Sequence, residues 1–183
     1  MKNKIYYTYL NLPPKITFLD ELPLNIIEYS INKYGEENAL QSLYAYYVLF
    51  KLTNADLSSI TFNKNGKPII DGLNFTLSHS DKVVAVAFTN ANANIGIDVE
   101  KIDENRDVSK FKKLFNNLKE NDYFDFYLKW TQREAIIKAK GYAILERFDD
   151  DFNGLSLTVK GHHSDYIVSI YNSDNLQLEY VEL

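Results

Sequence analysis

The run Ile95-Gly-Ile-Asp-Val-Glu100 sets two carboxylates two residues apart. Side chains alternate across a strand, so Gly96, Asp98 and Glu100 share one face, and Ile95, Ile97 and Val99 share the other. Like charges held this close repel unless a cation or water lies between them. Oxygen-only ligands favour a hard ion such as Mg²⁺, which keeps several waters and bridges to phosphates. Gly96 leaves space beside the pair. The same Asp-x-Glu spacing also suits a solvated edge strand.

A second group lies in Trp130-Thr-Gln-Arg-Glu-Ala-Ile-Ile-Lys-Ala-Lys-Gly141. At helical spacing Trp130, Glu134, Lys138 and Gly141 fall on one side. Leu128, Thr131, Ala135 and Ala139 fall on an apolar side that should pack on a sheet. Glu134 and Lys138 are four apart, the spacing of a surface ion pair contributing a few tenths of a kcal/mol. It is also the spacing of a third metal carboxylate followed one turn later by a phosphate-binding lysine. Trp130 by itself reads as core.

The third group is Gly66-Lys-Pro68 followed by Phe75-Thr-Leu-Ser-His-Ser80. His79, between Ser78 and Ser80 at the end of a β-like run, offers donors to phosphate oxygens, or else caps the strand. His162 and His163 fall in an expected hairpin turn.

These residues need elements to position them. Lys4–Leu10 alternates and reads as a strand. Helices are expected over about Glu21–Tyr34, with Gly35 as the stop, and over about Glu37–Leu52. Asn63–Pro68 is a turn by composition. Strands are expected at Asn74–His79, Val83–Thr89 and Asn94–Glu100, and a short helix over Lys110–Leu118. A long helix should span roughly Glu120–Lys140, ending at Gly141. After the acidic loop Asp149–Asp151, strands are expected near Leu155–Lys160, Tyr166–Tyr171 and Leu176–Val181. This order describes an α+β protein built from two similar halves, 1–92 and 93–183.

Composition narrows the function classes. The chain has 183 residues, 45% hydrophobic and 25% charged, as in ordinary globular proteins. It contains no cysteine, which removes disulfides, zinc–thiolate sites and cysteine nucleophiles. No apolar run approaches a membrane span, and the N-terminus lacks the pattern of a secretory signal, so a cytoplasmic location is expected. A net charge of −5 disfavours general nucleic-acid binding. The 14 tyrosines read as compositional bias.

Taken in order, Gly66-Lys67-Pro68, Phe75–Ser80, Gly96-Ile-Asp98-Val-Glu100 and Trp130-Thr-Gln-Arg133-Glu134 with Lys138 resemble the motifs of the Sfp-like 4′-phosphopantetheinyl transferases. The matching region covers residues 66–141. The resemblance implies a pseudo-dimeric fold, each half a small antiparallel sheet packed against helices, with coenzyme A in the cleft between the halves. It implies that Asp98, Glu100 and Glu134 ligate Mg²⁺ at the pyrophosphate, and that Lys67, Ser78, His79 and Lys138 contact phosphates. A serine of an acyl or peptidyl carrier protein would attack the β-phosphate, and 3′,5′-ADP would leave. Glu134, or a metal-bound water that it orients, is the candidate base, and Lys138 would stabilise the charge that develops.

Two positions depart from the family pattern. Arg133 stands where lysine is usual, which keeps the charge with a different donor geometry. Gln41 stands where relatives carry an arginine for the nucleotide's 3′-phosphate, and Lys33 is the upstream basic residue that remains. Lys101, Lys110, Lys112 and Lys113, with Phe111, Leu114 and Phe115, form either a solvated amphipathic helix or a dock for an acidic carrier protein. The chain is expected to be a monomer. A non-catalytic binder of coenzyme A or of a carrier domain, and a metal-dependent phosphohydrolase, are the competing readings.

Overall fold

The computed structural model describes residues 4–13, 15–63, 66–109, 111, 114–115, 122–142, 151–161 and 164–183. The expected positions Lys110, Lys112, Lys113, His162 and His163, and most of the 110–118 and 143–150 segments, lie outside these residues.

The described chain is a mixed α+β structure with three α-helices and several small sheets. Strand β1 (Lys4–Asn11) is followed by a 3₁₀ turn at Thr17–Glu21, then α1 (Leu24–Tyr34) and α2 (Ala39–Thr53). A short hairpin, β2 (Thr61–Phe62) and β3 (Pro68–Ile69), leads into β4 (Asn74–Ser80), β5 (Val83–Thr89) and β6 (Ile95–Lys101). The long helix α3 (Tyr123–Lys140) precedes β7 (Gly154–Lys160), β8 (Asp165–Asn172) and β9 (Gln177–Tyr180).

Local chemistry sets the boundaries. Helix α1 begins three residues later than Glu21 because Pro23 disfavours helical backbone in the residue before it, and Leu22 is extended at φ −97°, ψ 138°. Gly35 ends α1 and Gly141 ends α3, both at positive φ (77° and 75°), where glycine meets no Cβ penalty. Asp122 caps α3 by accepting the Asp125 N–H at 2.9 Å.

The two larger sheets run β4-β5-β1-β9 and β6-β8-β7, beside the two-stranded β2–β3 hairpin. Strand β9, the last in the chain, lies parallel to β1, pairing Lys4 with Gln177 and Tyr7 with Tyr180, so the C-terminal strand adds to the sheet of the first half. The two sheets face each other across a shared core. Ile5, Tyr7, Val83, Ala85 and Ala87 meet Ile95, Ile97, Val99, Tyr166, Val168 and Ile170 there. Helices α1 and α2 cover the outer face of the first sheet, burying Ile26, Leu43, Val48 and Leu49 against Phe75, Val84 and Val86. Helix α3 covers the outer face of the second. It comes so close to β6 that a Cβ on Gly96 would lie 1.8 Å from the Ala135 carbonyl oxygen. The space that Gly96 leaves is therefore filled by helix backbone, which brings α3 beside the Asp98–Glu100 face. Thr131, Ala135 and Ala139 are buried on the packing side of α3. Among the described residues, no helix is long and apolar enough to cross a membrane.

Candidate functional site

The edges of the two sheets meet where β4 runs beside β6, joined by side chains. Thr76, Ser78 and Ser80 point from alternate positions of β4 toward β6, and their hydroxyl oxygens accept the backbone N–H groups of Ile97, Val99 and Lys101 at 3.3, 3.3 and 3.1 Å. The Ser78 hydroxyl donates to Asp98 Oδ1 at 2.8 Å, and the Ser80 hydroxyl donates to Glu100 Oε2 at 2.9 Å.

Helix α3 brings the third carboxylate and a cation to this joint. Lys138 Nζ lies 2.7 Å from Asp98 Oδ1 and 2.7 Å from Ser78 Oγ. It turns to Asp98, making no described ion pair with Glu134 one turn before it. Asp98 is buried, at 4% exposure. Its second oxygen, Oδ2, and Glu134 Oε1 are both buried with no hydrogen-bond partner among the described residues. Burial, and then the Asp98 charge, push the Glu134 carboxyl up to about 7. The same two causes raise Glu100, partly offset by the hydrogen bond from Ser80.

Asp98 also lines a cavity of about 360 Å³, a size ordinary for small-molecule sites. Its walls come from α1, α2, the β2–β3 turn, β4 and the C-terminal end of α3. Lys33, Lys67 and Lys138 bring three ammonium groups to it, and His79 an imidazole. Burial, and then the Lys138 and Lys33 charges, hold His79 down to about 4, so at neutral pH it is an uncharged hydrogen-bonding group. Tyr34 meets the His79 ring edge-on at 5.1 Å between centroids.

Lys67 reaches the cavity across the end of α3. Its Nζ donates to the Lys138 carbonyl at 2.9 Å, among the last carbonyls of the helix, where the helix dipole also favours a cation. Burial lowers its pKa. Tyr29 ties the turn to α1 by donating to the Gly66 carbonyl at 3.1 Å, and Lys33 Nζ donates to the Tyr29 hydroxyl at 3.0 Å.

The structure thus gathers Lys67, Ser78, His79, Asp98 and Lys138 around one cavity, with Glu100 and Glu134 alongside. Gln41 is not among the cavity's lining residues; its Nε2 donates to the Asp81 carbonyl at 3.2 Å. Tyr29, Tyr34 and Tyr46 line the cavity, and the tyrosine excess hid them in the sequence. Lys33 four residues after Tyr29 was the available signal. Trp130 is core: it packs with Phe126, Phe111 and Phe115, so the apolar side of the expected docking segment turns inward. Lys101 pairs with Asp81 at 3.0 Å.

Among the described residues, no three acidic or histidine side chains converge into a ready-made metal cage. Asp98 Oδ2 and Glu134 Oε1 are nonetheless two buried carboxylate oxygens without a donor, which a cation could satisfy. An all-oxygen set of this kind fits a hard divalent ion that completes its shell with water and ligand phosphate. The chain matches no known protein-family model and no curated protein.

Proposed function

We propose that this protein is a Mg²⁺-dependent 4′-phosphopantetheinyl transferase of the Sfp-like family, with that family's pseudo-dimeric fold. It would move phosphopantetheine from coenzyme A to a serine of an acyl or peptidyl carrier protein and release 3′,5′-ADP. The observation that carries the reading is the convergence on one cavity of Lys67, His79, Lys138 and Asp98, residues of four separate sequence motifs.

The cavity suits a phosphate-bearing ligand with an aromatic part. Lys33, Lys67 and Lys138 supply positive charge, neutral His79 supplies a hydrogen-bonding group, and Tyr29, Tyr34 and Tyr46 supply ring surface. Asp98, Glu100 and Glu134 would hold Mg²⁺, which when bound stabilises the charge that builds on the departing pyrophosphate oxygen.

In the transfer, the carrier serine oxygen forms a bond to the β-phosphorus as that phosphorus loses its bond to the ADP oxygen. The serine proton goes to Glu134 or to a water that it orients. Lys138, on the cavity wall beside Asp98, would stabilise the charge of the leaving phosphate. The test is to incubate purified protein with coenzyme A, Mg²⁺ and an apo-carrier domain, and to weigh the carrier by mass spectrometry. A gain of one phosphopantetheine supports transfer. Phosphate release without carrier modification would point to a hydrolase, and neither product to a non-catalytic binder.

A further inference from the structure

The hydroxyls of β4 repeat one arrangement at every second residue. At each position the hydroxyl oxygen accepts an N–H from β6: Ile97 for Thr76, Val99 for Ser78 and Lys101 for Ser80. A hydroxyl has a single proton to donate. Ser78 gives its proton to Asp98, and Ser80 gives its proton to Glu100. In both cases the receiving carboxylate belongs to the residue just before the donating N–H. At the third position, beside Thr76, that residue is Gly96, which has no side chain, because α3 backbone occupies the space.

We propose that Ser80 is a positioning residue for the metal site, fixing which Glu100 oxygen faces the cation, as Ser78 does for Asp98. Ser80 engages Oε2 of Glu100, so Oε1 is the oxygen that this hydroxyl does not hold. Ser78 and Lys138 engage Oδ1 of Asp98 and leave the buried Oδ2 without a donor. The joint that holds the two sheets together thereby also sets the orientation of both strand carboxylates. This inference rests on the Mg²⁺ reading of the carboxylates but not on the transfer reaction.

The test measures Mg²⁺ binding to the full chain by isothermal titration calorimetry, without coenzyme A or carrier. Groups that orient metal ligands typically change metal affinity by about 10–100-fold when removed. Ser80→Ala should weaken Mg²⁺ by about tenfold. Ser80→Thr, which keeps the hydroxyl, should restore it, since Thr76 already makes the same bond to β6. Thr76→Val removes one hydroxyl from the same joint where no carboxylate stands opposite, so it should lower the melting temperature and leave Mg²⁺ affinity unchanged. Wild-type affinity in Ser80→Ala, or equal losses in Ser80→Ala and Thr76→Val, would overturn the positioning role. A wild-type chain that binds no Mg²⁺ would overturn the metal reading and this role with it. Mg²⁺ binding that follows the expected pattern, in a protein that transfers nothing, would sink only the proposed reaction.

Discussion

Lys138 Nζ lies 2.7 Å from Asp98 Oδ1, so the cation paired with this buried carboxylate is an ammonium of helix α3. The pair spans the two structural sources of the site, strand β6 and helix α3. It neutralises one Asp98 oxygen and leaves the other without a donor. In the proposed function Oδ2 is the oxygen that would face the metal, while Oδ1 stays with Lys138.

Removing this lysine should therefore destabilise the metal-free protein. Breaking a fully buried pair costs about 3–5 kcal/mol. The Lys138 side chain is 29% exposed, against 6% for Asp98. The expected loss for Lys138→Met, which keeps the apolar stem, is about 2 kcal/mol. Urea unfolding with and without Mg²⁺ measures it, and Mg²⁺ should restore more stability to the variant than it adds to wild type. Equal stability of variant and wild type without metal would show that the pair contributes nothing.

The elevated Glu134 pKa makes a signed prediction. Its carboxyl ionises near 4.5 in the unfolded chain and at about 7 in the folded one. No penalty exists below 4.5; the folded state then loses stability as pH rises toward 7, by about 3 kcal/mol at most. His79, held down to about 4, acts in the opposite sense, lowering stability as pH falls below its ordinary 6.5. Comparing melts with and without Mg²⁺ at each pH isolates the carboxylates. The stabilisation by Mg²⁺ should grow between pH 5 and 8, because a cation compensates only the ionised form. Glu134→Gln should flatten that dependence.

Gly96 supplies the sharpest steric test. A methyl there would lie 1.8 Å from Ala135 O, 2.8 Å from Ala135 C and 3.0 Å from Ala139 N, all backbone atoms that no rotamer change can move aside. Gly96→Ala should cost about 3 kcal/mol and displace α3, weakening Mg²⁺ binding together with stability. Differential scanning calorimetry beside Mg²⁺ titration checks both. A variant as stable as wild type would contradict the contact between β6 and α3.

Much of this arrangement was legible in the sequence, for identifiable reasons. Strand β1 follows from alternation, β4 to β9 from β-like runs, and the ends of α1 and α3 from Gly35 and Gly141, whereas the short β2 and β3 are not among the expected strands. The shared face of Gly96, Asp98 and Glu100 follows from the two-residue period of a strand. Other features leave no periodic trace. The bonds from β4 hydroxyls to β6 N–H groups carry no pattern that separates them from surface serines. The pairing of β9 with β1 joins residues more than 170 positions apart, Lys4 with Gln177 among them. Lys67 reaches the end of α3 across a sequence separation of 71 residues, which turn composition around Pro68 does not disclose. Tyr29, Tyr34 and Tyr46 became visible as cavity walls only when α1 and α2 were placed against β4.

The most direct test of the central claim is the mass of an apo-carrier domain after incubation with this protein, coenzyme A and Mg²⁺. The account predicts a gain of one phosphopantetheine on a serine. The gain should disappear with EDTA and in Asp98→Asn, an isosteric change that removes the charge paired with Lys138 and proposed to hold the metal. An unmodified carrier under these conditions, with the protein folded and Mg²⁺ bound, would contradict it.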